Sequence, residues 1–227
     1  MRPMFRSLFL VFSLGLLGLF FAGAPVAAQD NANVAQTHDQ AVKTPVGKFV
    51  QTLGDRAIAV IANKNITANQ RSDKFRQILQ DSFDLMTIGR FVIGRSWNAA
   101  SPEQQQEYMK LFEALVIKSY GDRLTLYTGE GFTVTGARPE SDKDYIVNSQ
   151  ITHPDGSEPT AIDWRVRQRN GKLGVIDVVV EGVSLSVTQR QEYAAVIQRN
   201  GGQIDGLLAM MRQQLQTPPT STADHPG

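Results

Sequence analysis

The sequence predicts an α+β domain in which helices pack on one face of a four-stranded antiparallel sheet. Two observations carry this. Apolar residues recur at helical spacing from Val46 to about Thr128, and from Gly131 the period changes to two. The loops between the alternating runs are short, so successive strands pair antiparallel as a meander.

The elements follow in order. Val46, Phe49, Val50, Leu53, Ala57, Val60 and Ile61 mark the apolar stripe of a first helix. Thr67 caps a second, whose stripe is Phe75, Ile78, Leu79 and Phe83. Asp84 caps a short third, with Leu85, Ile88 and Val92 on one side. Ser101-Pro102-Glu103-Gln104 is the clearest helix start: a cap, a proline at the first helical position and a capping-box glutamine. The helix it opens carries Tyr108, Leu111, Phe112, Leu115, Val116, Tyr120, Leu124 and Tyr127 on one face and stops at Gly129. Strands are expected at 132–138, 144–152, 160–168 and 173–180, joined by the turn-forming loops 153–159 and 169–171. In the third strand Ile162, Trp164 and Val166 alternate with Asp163, Arg165 and Arg167, so one face is apolar and one solvated. In the fourth, Ile176, Val178 and Val180 share a face. Helices at about 188–199 and 203–214, separated by Asn200-Gly201-Gly202, close the chain.

The ends read differently. Arg2 and Arg6, the apolar run Leu8–Phe21 and the small residues up to Ala28 form an export signal cleaved after residue 28. An uncleaved anchor is the alternative, but the run is short of the roughly 20 residues of a membrane span. Residues 29–44 form a polar, flexible leader and residues 217–227, with three prolines, a disordered tail. A single domain at 45–216 lies between them. Losing 28 of 227 residues, with two arginines and no acids, leaves 199 residues and takes the formal charge from +1 to −1. That balance gives no electrostatic case for nucleic acid. The absence of cysteine excludes disulfides, thiol chemistry and lipoprotein anchoring. An exported chain of this size without disulfides suits a bacterial periplasm, where a large core supplies the stability.

The motifs of catalysis are missing. The three histidines, His38, His153 and His225, have no metal-ligand spacing, and no nucleophile elbow or phosphate-cradling glycine loop occurs. Asp144, Asp163 and Asp177 are the one catalytic option, an acid–base enzyme built on a buried strand carboxylate. Solvated sheet-face aspartates are the plainer reading. What remains is a large stock of bulky apolar side chains, which periodicity alone cannot assign to a closed core or to a ligand cavity.

An ordered set of residues says more. Phe83-Asp84-Leu85 leads into Gly89-Arg90-Phe91-Val92-Ile93-Gly94-Arg95-Ser96-Trp97, then Ser101-Pro102 and the Gln104–Gln106 helix start. Phe112, Leu115, Tyr120 and Leu124 follow, and later Val178-Val179-Val180-Glu181-Gly182-Val183-Ser184-Leu185 ahead of Arg190 and Tyr193. Over roughly residues 45–215 this resembles the toluene-tolerance (MlaC) family of periplasmic phospholipid-binding proteins, which includes the soluble carrier of the Mla lipid-asymmetry pathway. Gln189 stands where family members often have an aromatic before the arginine.

The resemblance implies helices and sheet enclosing a deep apolar pocket for acyl tails, with the headgroup at the mouth and no cofactor or catalytic residue. It implies shuttling between an outer-membrane lipoprotein complex and the lipid-binding subunit of an inner-membrane ABC transporter, as a monomer. Face and family position together assign Phe91, Trp97, Phe112, Leu115, Tyr120, Val147, Trp164 and Val178 to the pocket lining. Arg90 and Arg95 are the basic residues nearest the expected mouth. Hopanoid cargo on the same fold remains open beside phospholipid.

Overall fold

The computed structural model describes residues 40–121 and 129–217, with the backbone alone for Tyr120 and Gly121. The expected signal peptide, the leader up to residue 39, the last turns of the long helix and the tail from residue 218 lie outside these. Seven helices and five strands follow in the order α1 Pro45–Ala62, α2 Ala68–Ser82, α3 Leu85–Ile93, α4 Ser96–Ala99, α5 Pro102–Gly121, β1 Gly131–Pro139, β2 Asp144–Thr152, β3 Thr160–Arg169, β4 Lys172–Val180, β5 Val183–Ser184, α6 Leu185–Arg199 and α7 Ile204–Gln216.

Local capping explains the helix starts. The Thr67 hydroxyl accepts from Gln70 N and the Gln70 side chain accepts from Thr67 N, closing the capping box of α2. The Asp84 carboxylate takes Thr87 N at 3.0 Å and opens α3. Ser101 and Gln104 exchange the same reciprocal pair at 3.2 and 2.9 Å to open α5. Ala41, placed in the leader by composition, is buried, and its carbonyl accepts the hydroxyl of Thr44, the α1 cap.

The sheet has five strands in the order β1-β2-β3-β4-β5, all antiparallel, where the sequence predicts four. The fifth arises because Glu181 and Gly182 both take positive φ, 49° and 78°, the backbone of a two-residue hairpin turn. That turn returns Val183 against Val180, and Ser184 caps α6, which starts at Leu185, three residues before the expected start at Thr188. In β4 the register shifts so that Val166 faces Val175 while Arg165 faces Asp177. Ile176 is therefore the extra residue of a bulge. The side chains sharing the apolar face are Leu173, Val175, Val178 and Val180, and Ile176 does not belong with the last two as strict alternation predicts.

Two apolar clusters form. The first joins the apolar sheet face, through Val134, Val147, Val166 and Val175, to Val46, Val50 and Leu53 of α1 and Ile78 of α2. The second is helical, with Val92 and Ile93 of α3, Tyr108, Phe112 and Leu115 of α5, Tyr193 and Ile197 of α6, and Leu207, Leu208 and Met211 of α7. The α2–α3 connection ties them together, because Asp84 N donates to the Val175 carbonyl at 2.9 Å and covers the exposed edge of β4.

Candidate functional site

The sequence-assigned residues divide between the two clusters. Val147 is fully buried in the sheet cluster, and Trp164 and Val178 are half-buried against it. Phe112 and Leu115 are buried in the helical cluster, with Trp97 packed on its edge. Phe91 is 41% exposed on α3. The Tyr120 side chain lies outside the described residues. The structure thus brings together Val147, Trp164 and Val178 in one cluster and Trp97, Phe112 and Leu115 in another, and leaves Phe91 on the surface.

The apolar sheet face changes character along its length. Val134, Val147, Val166 and Val175 are sealed at 0% exposure under α1 and α2. Beyond them, toward the β1 start and the β4 end, Phe132, Ile151, Trp164, Val178 and Val180 point the same way by register but remain half-buried, while Ser149 and Ile162 among them are buried. Trp164 is the centre of this open end. Phe132 meets it edge-on at 6.0 Å and Phe83 at 6.5 Å. Its indole Nε1 donates to Ser149 Oγ at 2.9 Å, and Ser149 Oγ donates to the Ile162 carbonyl at 3.0 Å. The indole is thereby held in place, half-buried.

α1 supports this end in two ways. Gly54 lets Phe132 lie against the helix, since a Cβ there would stand 2.1 Å from Phe132 Cδ1. Gln51 accepts from Val134 N at 3.0 Å and donates to the Phe132 carbonyl at 3.4 Å, satisfying the free edge of β1 with a side-chain amide. Phe132, Gly54 and Ser149 surround Trp164 without being singled out by the sequence, and Phe83, which the sequence places on the second helix's apolar stripe and in the family segment, joins them here. A glycine inside an apolar helix stripe was the one available signal.

The other face of the sheet is polar and paired. Arg167 donates from Nε and Nη2 to both Asp144 oxygens at 2.7 Å, and these bonds hold the Asp144 carboxyl below its usual range. Asp163 accepts from Asn148 Nδ2 at 2.7 Å. Asp177 accepts from Ser184 Oγ, Ser186 N and Val178 N and so anchors the start of α6. The three aspartates do not converge. None points into the apolar face, and Asp144 is shifted opposite to the raised value a general acid at neutral pH requires. A cleft of about 580 Å³ between the α3 start and the hairpin ends is lined by Thr87, Asp142, Lys143, Asp144, Arg167 and Arg169, so it is polar and separate from the open apolar end. Among the described residues no group of acidic, histidine or cysteine side chains could hold a metal ion. Burial pushes the Tyr193 phenol up to about 12 and Tyr108 further, keeping both neutral in the helical cluster. Tyr108 donates to the Gly89 carbonyl at 2.9 Å.

The model of the MlaC protein family matches residues 51–213, most of the chain. The chain belongs to that family. It is 27% identical over 221 residues to the toluene tolerance protein ttg2D of Pseudomonas putida, covering 92% of this chain and 96% of that one. It is 23% identical over 177 residues to the intermembrane phospholipid transport system binding protein MlaC of Haemophilus influenzae, covering 75% and 82%. Among solved structures, the phospholipid-binding protein of Ralstonia solanacearum, determined in complex with a phospholipid, superposes with a TM-score of 0.67 at 26% identity, covering 75% of this chain and 98% of that one.

Proposed function

We propose that this protein is a periplasmic phospholipid carrier whose acyl-chain pocket opens at the Trp164 end of the sheet. The observation that carries the reading is the apolar face that remains half-buried at Phe132, Trp164 and Val178, within a fold shared with a phospholipid-bound relative. Trp164 and Val178 form the sheet wall of the pocket, and Val147, opposite Trp164 in register and sealed under the helices, backs them. Trp97, Phe112, Leu115 and Tyr120 form the opposite wall once the two clusters part around the tails, and Phe91 lies at the rim. The export signal at residues 1–28 delivers the chain to the periplasm. There it exchanges lipid with an outer-membrane lipoprotein complex and with the lipid-binding subunit of an inner-membrane ABC transporter.

The energetics suit that role. A two-tailed lipid carries about 30 methylenes, each costing roughly 0.8 kcal/mol to expose to water, so unassisted transfer is negligible. A carrier that reproduces the apolar surroundings of the bilayer leaves loading and release nearly balanced. Direction then comes from its partners, and no bond need be made or broken in the carrier.

Native mass spectrometry of the mature protein from a bacterial periplasm, with organic extraction of the bound species, tests this. About one phospholipid per protein is expected. A hopanoid in its place would change the cargo and keep the fold's role. A protein that is empty and takes up no lipid from vesicles would overturn the proposal.

A further inference from the structure

We propose that a patch along the α3–α6 seam docks this protein on the surface of an anionic phospholipid bilayer. Its apolar members are Phe91 on α3 and Val183 and Val187 around the α6 start, each 41% exposed. Its charged members are Arg90, Arg95 and Arg190.

Single exposed apolar residues are ordinary on protein surfaces. Phe91 and Val187 are connected here through Arg190. The Arg190 guanidinium lies 4.9 Å from the Phe91 ring centroid and donates to the Phe91 carbonyl at 3.1 Å, which locks α6 to α3 and holds the ring at the surface. Val187 lies one turn before Arg190 on α6. Arg90 stacks on Trp97 at 5.2 Å. Arg90, Arg95 and Arg190 are among the arginines that make no ion pair with a carboxylate among the described residues. The nearby acids are engaged elsewhere. Glu181 accepts from Ala161 N and Glu192 from the Gln189 amide.

Apolar side chains set beside unpaired guanidinium groups match the interfacial layer of an anionic membrane, where the former enter the acyl boundary and the latter meet phosphates. The patch is also continuous with the open end of the sheet. Val183 pairs with Val180, which shares the apolar face with Val178 and Trp164. Docking here therefore brings the opening to the bilayer in which the cargo resides. This inference rests on the carrier reading, and the experiment separates the two.

The mature protein is co-sedimented with vesicles of phosphatidylcholine alone and of phosphatidylcholine mixed with phosphatidylglycerol, across a salt series, and its lipid occupancy is measured by native mass spectrometry. Binding to the anionic vesicles that weakens with salt is expected. Arg90→Gln and Arg95→Gln should each weaken it about fivefold, and Val187→Ser should weaken it severalfold, with thermal midpoints close to that of the parent protein. Arg190 is kept because it joins two helices. A lipid-loaded protein that ignores both vesicles would overturn the docking proposal, assign the patch to a protein partner and leave the carrier reading intact. Variants that bind as tightly as the parent would overturn it too. Binding by a protein that cannot be loaded would support docking and sink the carrier reading.

Discussion

The two ends of the apolar sheet face are built from similar residues and behave differently. At one end Val134, Val147, Val166 and Val175 are fully covered, because Val50, Leu53 and Ile78 lie directly over them. At the other, Phe132, Trp164 and Val178 are larger or equally apolar and yet only half-buried. Side-chain hydrophobicity does not separate the ends. The covering elements do. On the proposed reading the sealed end supplies stability and the half-buried end keeps apolar surface for the lipid.

Substitutions that sort the two roles would break or sharpen this contrast. The largest loss of stability is expected in the sealed regions. Leu207→Ala, at 0% exposure in the helical cluster, should cost about 2–5 kcal/mol and lower the thermal midpoint steeply, while the molecules that remain folded keep their lipid. Trp164→Ala should do the converse, losing bound lipid in native mass spectrometry with a smaller drop in midpoint. Equal loss of lipid in both variants would erase the distinction between the ends.

Gly54→Leu comes next. Its side chain would displace Phe132 at a cost of about 1–3 kcal/mol, and the open end would lose a wall along with its lipid. Ser149→Ala leaves the Trp164 indole N–H and the Ile162 carbonyl without this shared partner. About 1–3 kcal/mol is expected if the site stays dry, read as a shift in the denaturant midpoint. A neutral result would mean that water reaches the indole, which is itself a measure of how open this end is.

Legibility in the sequence followed the same division between local and long-range determinants. Thr67, Asp84 and Ser101 were readable as caps because a cap needs only the next three residues. The shared face of Trp164 and Val147 followed from alternation within short hairpins. The β4 bulge was not readable, because it depends on how β3 and β4 register, and it moved Val175 onto the core face. β5 was hidden in the same way. Glu181-Gly182 announces a turn, but two residues of strand after it exist only through pairing with β4. The division of the expected lining between two clusters was beyond reach for a further reason. Periodicity tells which residues share a face and says nothing of what covers it.

The smallest predicted effect lies on the polar face and tests whether it takes part in function at all. Asp144 is ionised more readily in the folded protein because Arg167 hydrogen-bonds both its oxygens. Its folded pKa lies below the unfolded value, so the stabilisation is complete above the ordinary carboxylate range near 3.8 and is lost as pH falls through the folded pKa. The Arg167 side chain is 38% exposed, so solvent screening limits the pair to under about 1 kcal/mol. Asp144→Asn should therefore lower the midpoint slightly at neutral pH, less so in high salt, and the deficit should vanish at pH values well below the carboxylate range. Bound lipid should be unaffected at every pH where the protein stays folded. A loss of lipid in this variant would mean that the two faces of the sheet are coupled, and the polar cleft beside Asp144 would then become part of the site.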